Sequence, residues 1–486
     1  MELFTVIVPV LNRVHTIAHT LLSCLVQNDE RFQILVSDNH SSDGTYEELV
    51  RWAARDARIT LIRPPCRMGQ ATHWEFALEH VREGYFMFLG GDDALLPRCM
   101  ERARACLAAH PGVKALHSPI CVTYLYPDVH GERAGCLTTW PKVGMELRDS
   151  GEWLRRVIGG ECGILELPYP YAFAWCHMDV LDDVRKKGRL IPCRTPPVFL
   201  ALAAARYSSQ FLMVSPGFAA PGVSRESIGY SCQFPGGDRV QDRKFFREDD
   251  IAAKDIPYHP KVGVSRSEHM HVGETLLRAK EAGLLDDSTK IAWDRLVALA
   301  YREFAVADWS VEDRQANFAS LQIVARNFGC EAMLPELDEK SNMGSWMKQL
   351  PFELPRPRAS AREIVIDLKP LDVQGVHQAA RLGDEILEAL VCSKQGSVQE
   401  MRCDVRSLSW CFTQIVKTVA ATDEVAELLE QLELRTEESK RRAAERDKAK
   451  QMVVELNERL KKTKINAAKP SRKLGDRLKR LFSASS

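Results

Sequence analysis

Four common pointers to a function class are missing from this sequence. Its 14 cysteines include no Cys-x-x-Cys pair, and Met1 leads straight into a β-branched stretch rather than a leader, which argues against a disulfide framework or a zinc site. No apolar run approaches the roughly 18 residues of a membrane-spanning helix. Neither charge sign prevails, with 66 Lys and Arg against 66 Asp and Glu, so nothing global argues for a nucleic-acid partner. At 486 residues the chain is expected to hold more than one domain, and a reducing cytoplasm is its expected compartment.

What is there concentrates in the first quarter. Tyr85-Phe-Met-Phe-Leu89 is a short apolar run that reads as a buried strand. Gly90 and Gly91 end it, and the carboxylates Asp92 and Asp93 follow. In open α/β sheets ligands gather beyond the carboxyl ends of strands, where two hard oxygens suit Mg or Mn that also holds substrate phosphates. Taken alone, Asp92-Asp93 reads by default as a turn capping the next helix. Upstream, however, Phe4–Val10, Phe32–Ser37 and Ile59–Ile62 read as strands, with helical patterns at His15–Gln27 and Ala71–His80. Strands and helices alternating at this spacing predict an α/β protein with a parallel, doubly wound sheet. Asp38, Asp92 and Asp93 then fall on loops at one edge of that sheet.

Val6-Ile-Val-Pro-Val-Leu-Asn12, Val36-Ser-Asp-Asn-His-Ser-Ser-Asp-Gly-Thr45, the Met68-Gly69 loop and Phe88-Leu-Gly-Gly-Asp-Asp-Ala-Leu-Leu-Pro97 occur in the order and spacing of family 2 glycosyltransferases. The chain resembles these nucleotide-sugar enzymes of A-type, Rossmann-like fold over about its first 125 residues, and more weakly to about residue 232. The resemblance implies that Pro9, Val10, Leu11, Asn12 and Arg13 line a nucleotide pocket, with Arg13 reaching phosphate. It implies that Asp38, beside Asn39, accepts the ring N–H of a uridine- or thymidine-type base; an Asx turn with Ser41 is the plainer role for Asp38. Met68 and Gly69 would pass close to the donor, and Asp93 helped by Asp92 would hold Mn or Mg against the diphosphate.

Departures from the family pattern are equally specific. Gly91 stands where many relatives carry a third acid, and Leu11 where many place an aromatic. Pro197, in Arg194-Thr-Pro-Pro-Val198, occupies the place expected of the catalytic base. Asp179, Glu161 and Glu166 are weak substitutes, and the catalytic residue stays unassigned. Asp182 and Asp183, beside Arg185, Lys186 and Lys187, read as a solvated face, and His177 as a core or contact histidine. His73 and Glu75 are open candidates for the donor sugar, Trp74 reads as core, and Arg225 in Pro221–Ser227 is either a phosphate clamp or a loop charge.

The expected organisation is a nucleotide-sugar domain over 1–234, a linker or mobile loop at 235–266, a mainly helical region over 267–420, a long charged helix over 421–468 and a basic tail over 469–486. From Asp423 to Ala467 there is no Pro or Gly, and Leu428, Leu432, Val453, Leu456 and Leu460 share a heptad seam; a coiled coil that makes a homo-oligomer competes with an isolated solvated helix. Leu474, Leu478, Leu481 and Phe482 form an apolar stripe among basic residues, which suits an anionic membrane surface and a peripheral place on an inner membrane. The function expected is metal-dependent sugar transfer to a glycan or lipid-linked acceptor in bacterial surface polysaccharide synthesis. A catalytically impaired nucleotide-sugar-binding or scaffold protein of the same fold is the alternative. A nucleotidyltransferase fits less well, because the first loop lacks a Gly-rich phosphate cradle.

Overall fold

The computed structural model describes residues 1–129, 131–140, 144–227, 254, 256–265, 267–306, 311–335, 343–355, 364–369, 373, 375–392 and 401–403. In chain order the elements are β1 (Phe4–Val10), α1 (Ile17–Leu25), β2 (Phe32–Asp38), α2 (Thr45–Ala53), β3 (Ile59–Ile62), α3 (Gln70–Leu78), β4 (Tyr85–Phe88), β5 (Ala94–Leu95), α4 (Cys99–Ala109), β6 (Ala115–His117), β7 (Val122–Leu125), β8 (Cys136–Thr139) and β9 (Gly144–Asp149). They continue with α5 (Ser150–Ile158), β10 (Ala174–His177), α6 (Asp182–Arg185), α7 (Pro196–Arg206), β11 (Gln210–Ser215), β12 (Ala219–Ala220) and β13 (Gly222–Val223). The last are α8 (Glu268–Glu281), α9 (Trp293–Val306), α10 (Val311–Phe328), α11 (Met343–Gln349), β14 (Ile364–Asp367), α12 (Val376–Cys392) and β15 (Met401–Cys403).

The central sheet has eight strands in the order β3-β2-β1-β4-β10-β6-β11-β9. Its first four strands are parallel, as the alternation of strands and helices predicts. The other half corrects the expectation of a wholly parallel sheet. β10 enters between β4 and β6 antiparallel to both, and β9 closes the edge antiparallel to β11. The cause is topological: β10 and β9 reach the sheet without a right-handed helical crossover, and only that crossover enforces parallel pairing.

Because its strands are covered on both faces, the sheet carries continuous apolar runs rather than alternating ones. One face packs Ile7, Trp74, Phe86 and Phe88 with Phe199, Leu276, Trp293 and Leu321. The other packs Val6, Val8, Ile17, Leu21, Trp175 and Phe218. The first list spans β1 to α10, so the helices after residue 267 share a core with the N-terminal sheet. A five-stranded sheet, β13-β7-β8-β14-β15, likewise joins residues from both sides of the 235–266 stretch, and α12 packs on α1, β5 and β7. The described residues between 267 and 403 therefore share packing with the N-terminal sheet and contain the strands β14 and β15 beside their helices. Of the 235–266 linker only residue 254 and residues 256–265 are described, and the long charged helix and basic tail lie outside the described residues. Among the described residues no helix is long and apolar enough to cross a membrane.

Candidate functional site

Three strand tips meet at one edge of the parallel block. After β1, Asn12 adopts a positive φ of 53°, a conformation that asparagine tolerates better than most residues. Its N–H donates to Ser41 Oγ at 2.8 Å, and its Oδ1 accepts from Ser42 N at 2.8 Å, which laces the β1 loop to the β2 loop. Arg13 N donates to Thr45 Oγ1 at 2.8 Å. The Arg13 guanidinium donates to the carbonyls of Leu11, Asn12 and Glu226 at 3.2, 3.1 and 2.7 Å. It thereby ties the first loop to Pro221–Ser227, and no hydrogen bond to a carboxylate is among its contacts.

Asp38 ends β2 with its side chain fully buried. Its Oδ2 lies 2.9 Å from Arg63 Nε, and Ser41 N–H donates to both of its oxygens at 3.3 Å. The Asx turn is thus present, and an arginine that the sequence reading passed over is added to it. Asn39 clamps the β3–α3 loop: its Nδ2 donates to Met68 O at 2.7 Å while Met68 N donates to its Oδ1 at 2.9 Å. Gly69 precedes α3 with φ −64°, so a left-handed backbone is not the reason for glycine there. Pro9 and Val10 lie within β1, where Val10 is buried.

Asp92 and Asp93 follow β4, both buried. Asp93 is held by the protein itself. Its Oδ2 accepts from Gly90 N at 2.9 Å and its Oδ1 from Gly222 N at 2.8 Å, and the Tyr171 hydroxyl adds a further bond. Burial, and then the charge of Asp92, push the Asp93 carboxyl up to about 7. Asp92 Oδ2 accepts from Ser224 Oγ at 2.7 Å and from Ser227 Oγ. Gly222 is required here, because a Cβ at that position would run into the Asp92 carbonyl.

Among the described residues no group of three or more His, Cys, Asp or Glu is placed to hold a metal ion. Mg or Mn, where an enzyme uses it, is commonly held by one or two carboxylates together with substrate phosphates. Two adjacent buried carboxylates, one driven toward its neutral form, are short of positive charge, which a divalent ion would supply. Asp92 is the better placed of the two, since both Asp93 oxygens already accept from backbone N–H groups.

The other candidates separate from this edge. β10 runs antiparallel to β4 with His177 opposite Tyr85, so His177 and Asp179 sit at the start of β4, across the sheet from Asp92. Asp179 faces Lys114 at 3.5 Å and His177 at 3.3 Å. Glu166 is engaged by Arg148 at 2.9 Å, and the exposed Glu161 lies 3.9 Å from Arg156. Asp182 and Asp183 pair with Arg185 and Lys186, as a solvated face does. None of these is brought to the acid pair, and the first turn of α7 holds prolines and no acid. His73 and Glu75 are likewise structural. His73 Nε2 lies 2.8 Å from Ser37 Oγ, and burial takes its pKa down to about 4. Glu75 binds Arg189 and the Leu190 N–H. Trp74 stacks on Phe88 at 4.1 Å, as core. Arg225 N donates to Asp128 Oδ2 at 3.4 Å.

Residues missed from the sequence are Arg63, Tyr171, Ser224 and Ser227. Only the last two sat in a segment already singled out; Tyr171, in Tyr169-Pro-Tyr171, carried no signal.

Residues 5–118 match the glycosyl transferase family 2 model. The chain is 25% identical over 146 residues to an uncharacterized glycosyltransferase of Haemophilus influenzae, covering 29% of this chain and 55% of that protein. It is 30% identical over 99 residues to the Escherichia coli UDP-Glc:alpha-D-GlcNAc-diphosphoundecaprenol beta-1,3-glucosyltransferase WfgD, covering 20% of this chain and 38% of that one. The match thus spans about half, or less, of the length of these relatives. Among solved structures, Staphylococcus aureus TarS 1–349 in complex with UDP-GlcNAc aligns over 68% of this chain and 90% of its own, with 14% identity and a TM-score of 0.38. The segment that matches the family model, residues 5–118, carries Arg13, Asp38, Asn39, Met68, Gly69, Asp92 and Asp93.

Proposed function

We propose that this protein is a glycosyltransferase that takes a sugar from a nucleoside diphosphate sugar, of uridine or thymidine type, and passes it to a glycan or lipid-linked acceptor. The observation that carries the reading is the buried Asp92–Asp93 pair at the β4 tip, inside the family-matched segment. Asp93 fixes the turn. Asp92, which accepts from two serine hydroxyls, is the group that would hold Mn or Mg, and Arg13, whose stem lies over the neighbouring Gly91, is the cation the first loop offers to phosphate. A divalent ion bound there supplies Lewis-acid charge to the leaving diphosphate. Arg13 and the Asn12–Ser41 and Asn39–Met68 clamps hold the loops in place before the donor arrives, which lowers the ordering cost of binding.

The E. coli relative's name, a diphosphoundecaprenol glucosyltransferase, supports a lipid-linked acceptor, and bacterial surface-polysaccharide synthesis is the setting proposed for it from sequence. A cytoplasmic enzyme, peripheral at the inner membrane through residues 469–486 and oligomeric through 421–468, completes the proposal from sequence. One observation favours a second reading, a nucleotide-sugar-binding protein without transfer: Pro196 and Pro197 open α7, and no carboxylate stands in its first turn. Purified full-length protein with a panel of nucleotide sugars, with Mn and with EDTA, separates them. Mn-dependent donor hydrolysis supports the enzyme. Thermal stabilisation without hydrolysis supports the binding protein, and neither response removes both.

A further inference from the structure

The resemblance gives Asp38 the task of reading the base, yet its side chain is 0% exposed while that of Arg63 is 32% exposed. We infer that Arg63 is the residue that contacts the nucleobase and sets its class, with Asp38 as the anchor behind it. This rests on the reading of the site as a nucleoside diphosphate sugar site.

Register places the two residues together, since Ser37 of β2 pairs with Ile62 of β3 and the next residue of each strand is Asp38 and Arg63. Two contacts pin the guanidinium. Its Nε lies 2.9 Å from Asp38 Oδ2, and its Cζ lies 4.1 Å from the centre of the Tyr46 ring. A fully buried carboxylate is tolerable only when paired, and Arg63 is that partner, so a ligand arriving from solvent meets Arg63 first. A guanidinium is planar, permanently charged and only donates hydrogen bonds. Held over the Tyr46 ring by one contact and to Asp38 by the other, it presents its remaining donors from a fixed place. Such a surface accepts the carbonyl edge of uracil or thymine and rejects the amino edge of cytosine. It also supplies the planar group that Leu11 does not.

The test is calorimetric binding of UDP, CDP and 4-thio-UDP to the full-length protein with Mn. 4-Thio-UDP keeps the ring N–H and weakens only the carbonyl acceptor, so a carboxylate reader and a guanidinium reader respond differently. One charge-assisted hydrogen bond corresponds to at least about tenfold in affinity. Wild type is therefore expected to prefer UDP over both analogues by about that factor. Arg63→Gln should bind UDP correspondingly more weakly and lose the preference. Arg63→Lys, which keeps the charge but not the plane, should lose it too. Tyr46→Leu leaves Arg63 and Asp38 paired and is expected to narrow the preference, an effect absent when combined with Arg63→Gln. An unchanged UDP to 4-thio-UDP ratio in Arg63→Gln overturns this inference alone. If Arg63→Gln does not fold, the Tyr46→Leu ratio decides in the same way. Failure of wild type to bind any of the three overturns the donor-site reading and this inference with it.

Discussion

The side chain of Arg13 lies across Gly91: a Cβ on that glycine would come within 3.0 Å of Arg13 Cγ and 3.2 Å of its Cβ. One residue earlier, a Cβ on Gly90 would meet the Tyr171 hydroxyl at 2.5 Å and Asp93 Oδ2 at 2.6 Å. An acid at Gly91, where many relatives carry one before the pair, would therefore have to displace the Arg13 side chain.

Gly91→Asp is therefore expected to damage the protein rather than restore a metal ligand. Overpacking of this kind costs about 1–3 kcal/mol, readable as a lower urea midpoint, and the displaced guanidinium should weaken UDP binding as well. Combining Gly91→Ala with Arg13→Ala should recover most of the stability that Gly91→Ala alone loses. Tighter Mn binding by Gly91→Asp, at wild-type stability, would contradict the account.

A second expectation concerns pH. Burial and Asp92 hold the Asp93 carboxyl up to about 7, well above the roughly 3.9 of an unfolded aspartate. Between those values the folded chain keeps a proton that the unfolded chain has lost, so stability falls as pH rises through the window. In EDTA, urea midpoints taken at intervals from pH 5 to pH 8 should decline more steeply for wild type than for Asp93→Asn. Mn with UDP should flatten the wild-type decline, because bound positive charge favours the ionised pair. A wild-type slope no steeper than that of the variant would remove the assignment.

Much of this was legible in sequence, and the gaps have physical causes. The β1, β2 and β3 strands and the Asp92–Asp93 turn were readable because short apolar runs ending in polar loops signal parallel strands. β10 was not, since Ala174–His177 looks like any buried strand and its direction depends on where the chain re-enters the sheet. Helix ends moved by a residue or two; α1 starts at Ile17 and not at His15 because the Arg13 carbonyl accepts from Thr16 and Ile17 N–H groups in a turn. The contacts of Asp93 were not legible for a similar reason. Gly222 and Tyr171, which claim its oxygens, lie far along the chain and come to it only through the fold.

The sequence also proposed Asp179 and Glu161 as bases, and the sheet places Asp179 on the wrong edge. Asp179→Asn and Glu161→Gln should each leave turnover within about twofold of wild type, the range of surface changes of roughly 0.5 kcal/mol. Steady-state rates on the best donor of the panel decide it. A loss of about a hundredfold, the low end for a general base, in either variant would reinstate that residue.

The last expectation tests whether the segment near residue 384 belongs to the donor site. Asp384 of α12 pairs with the Arg102 guanidinium of α4, with side chains only 3% and 11% exposed, and it accepts from Arg98 N at 3.2 Å. Arg102 in turn donates to Gly217 O at 3.2 Å. Gly217 leads into β12, which pairs with β5 directly after the acid pair, and then to Gly222, whose N–H holds Asp93. A strut therefore runs from the α12 carboxylate to the loop that fixes the acid pair. Removing one partner of a buried ion pair costs about 3–5 kcal/mol, whereas replacing both by well-packed apolar residues is often neutral. Asp384→Ala should lower the urea midpoint by an amount of that order and weaken UDP binding. Asp384→Leu with Arg102→Met should recover stability but not the full affinity, because Gly217 O loses its donor once Arg102 is replaced. Wild-type affinity in the double variant would show that the strut supports the fold alone and leaves the acid pair to the β4 turn.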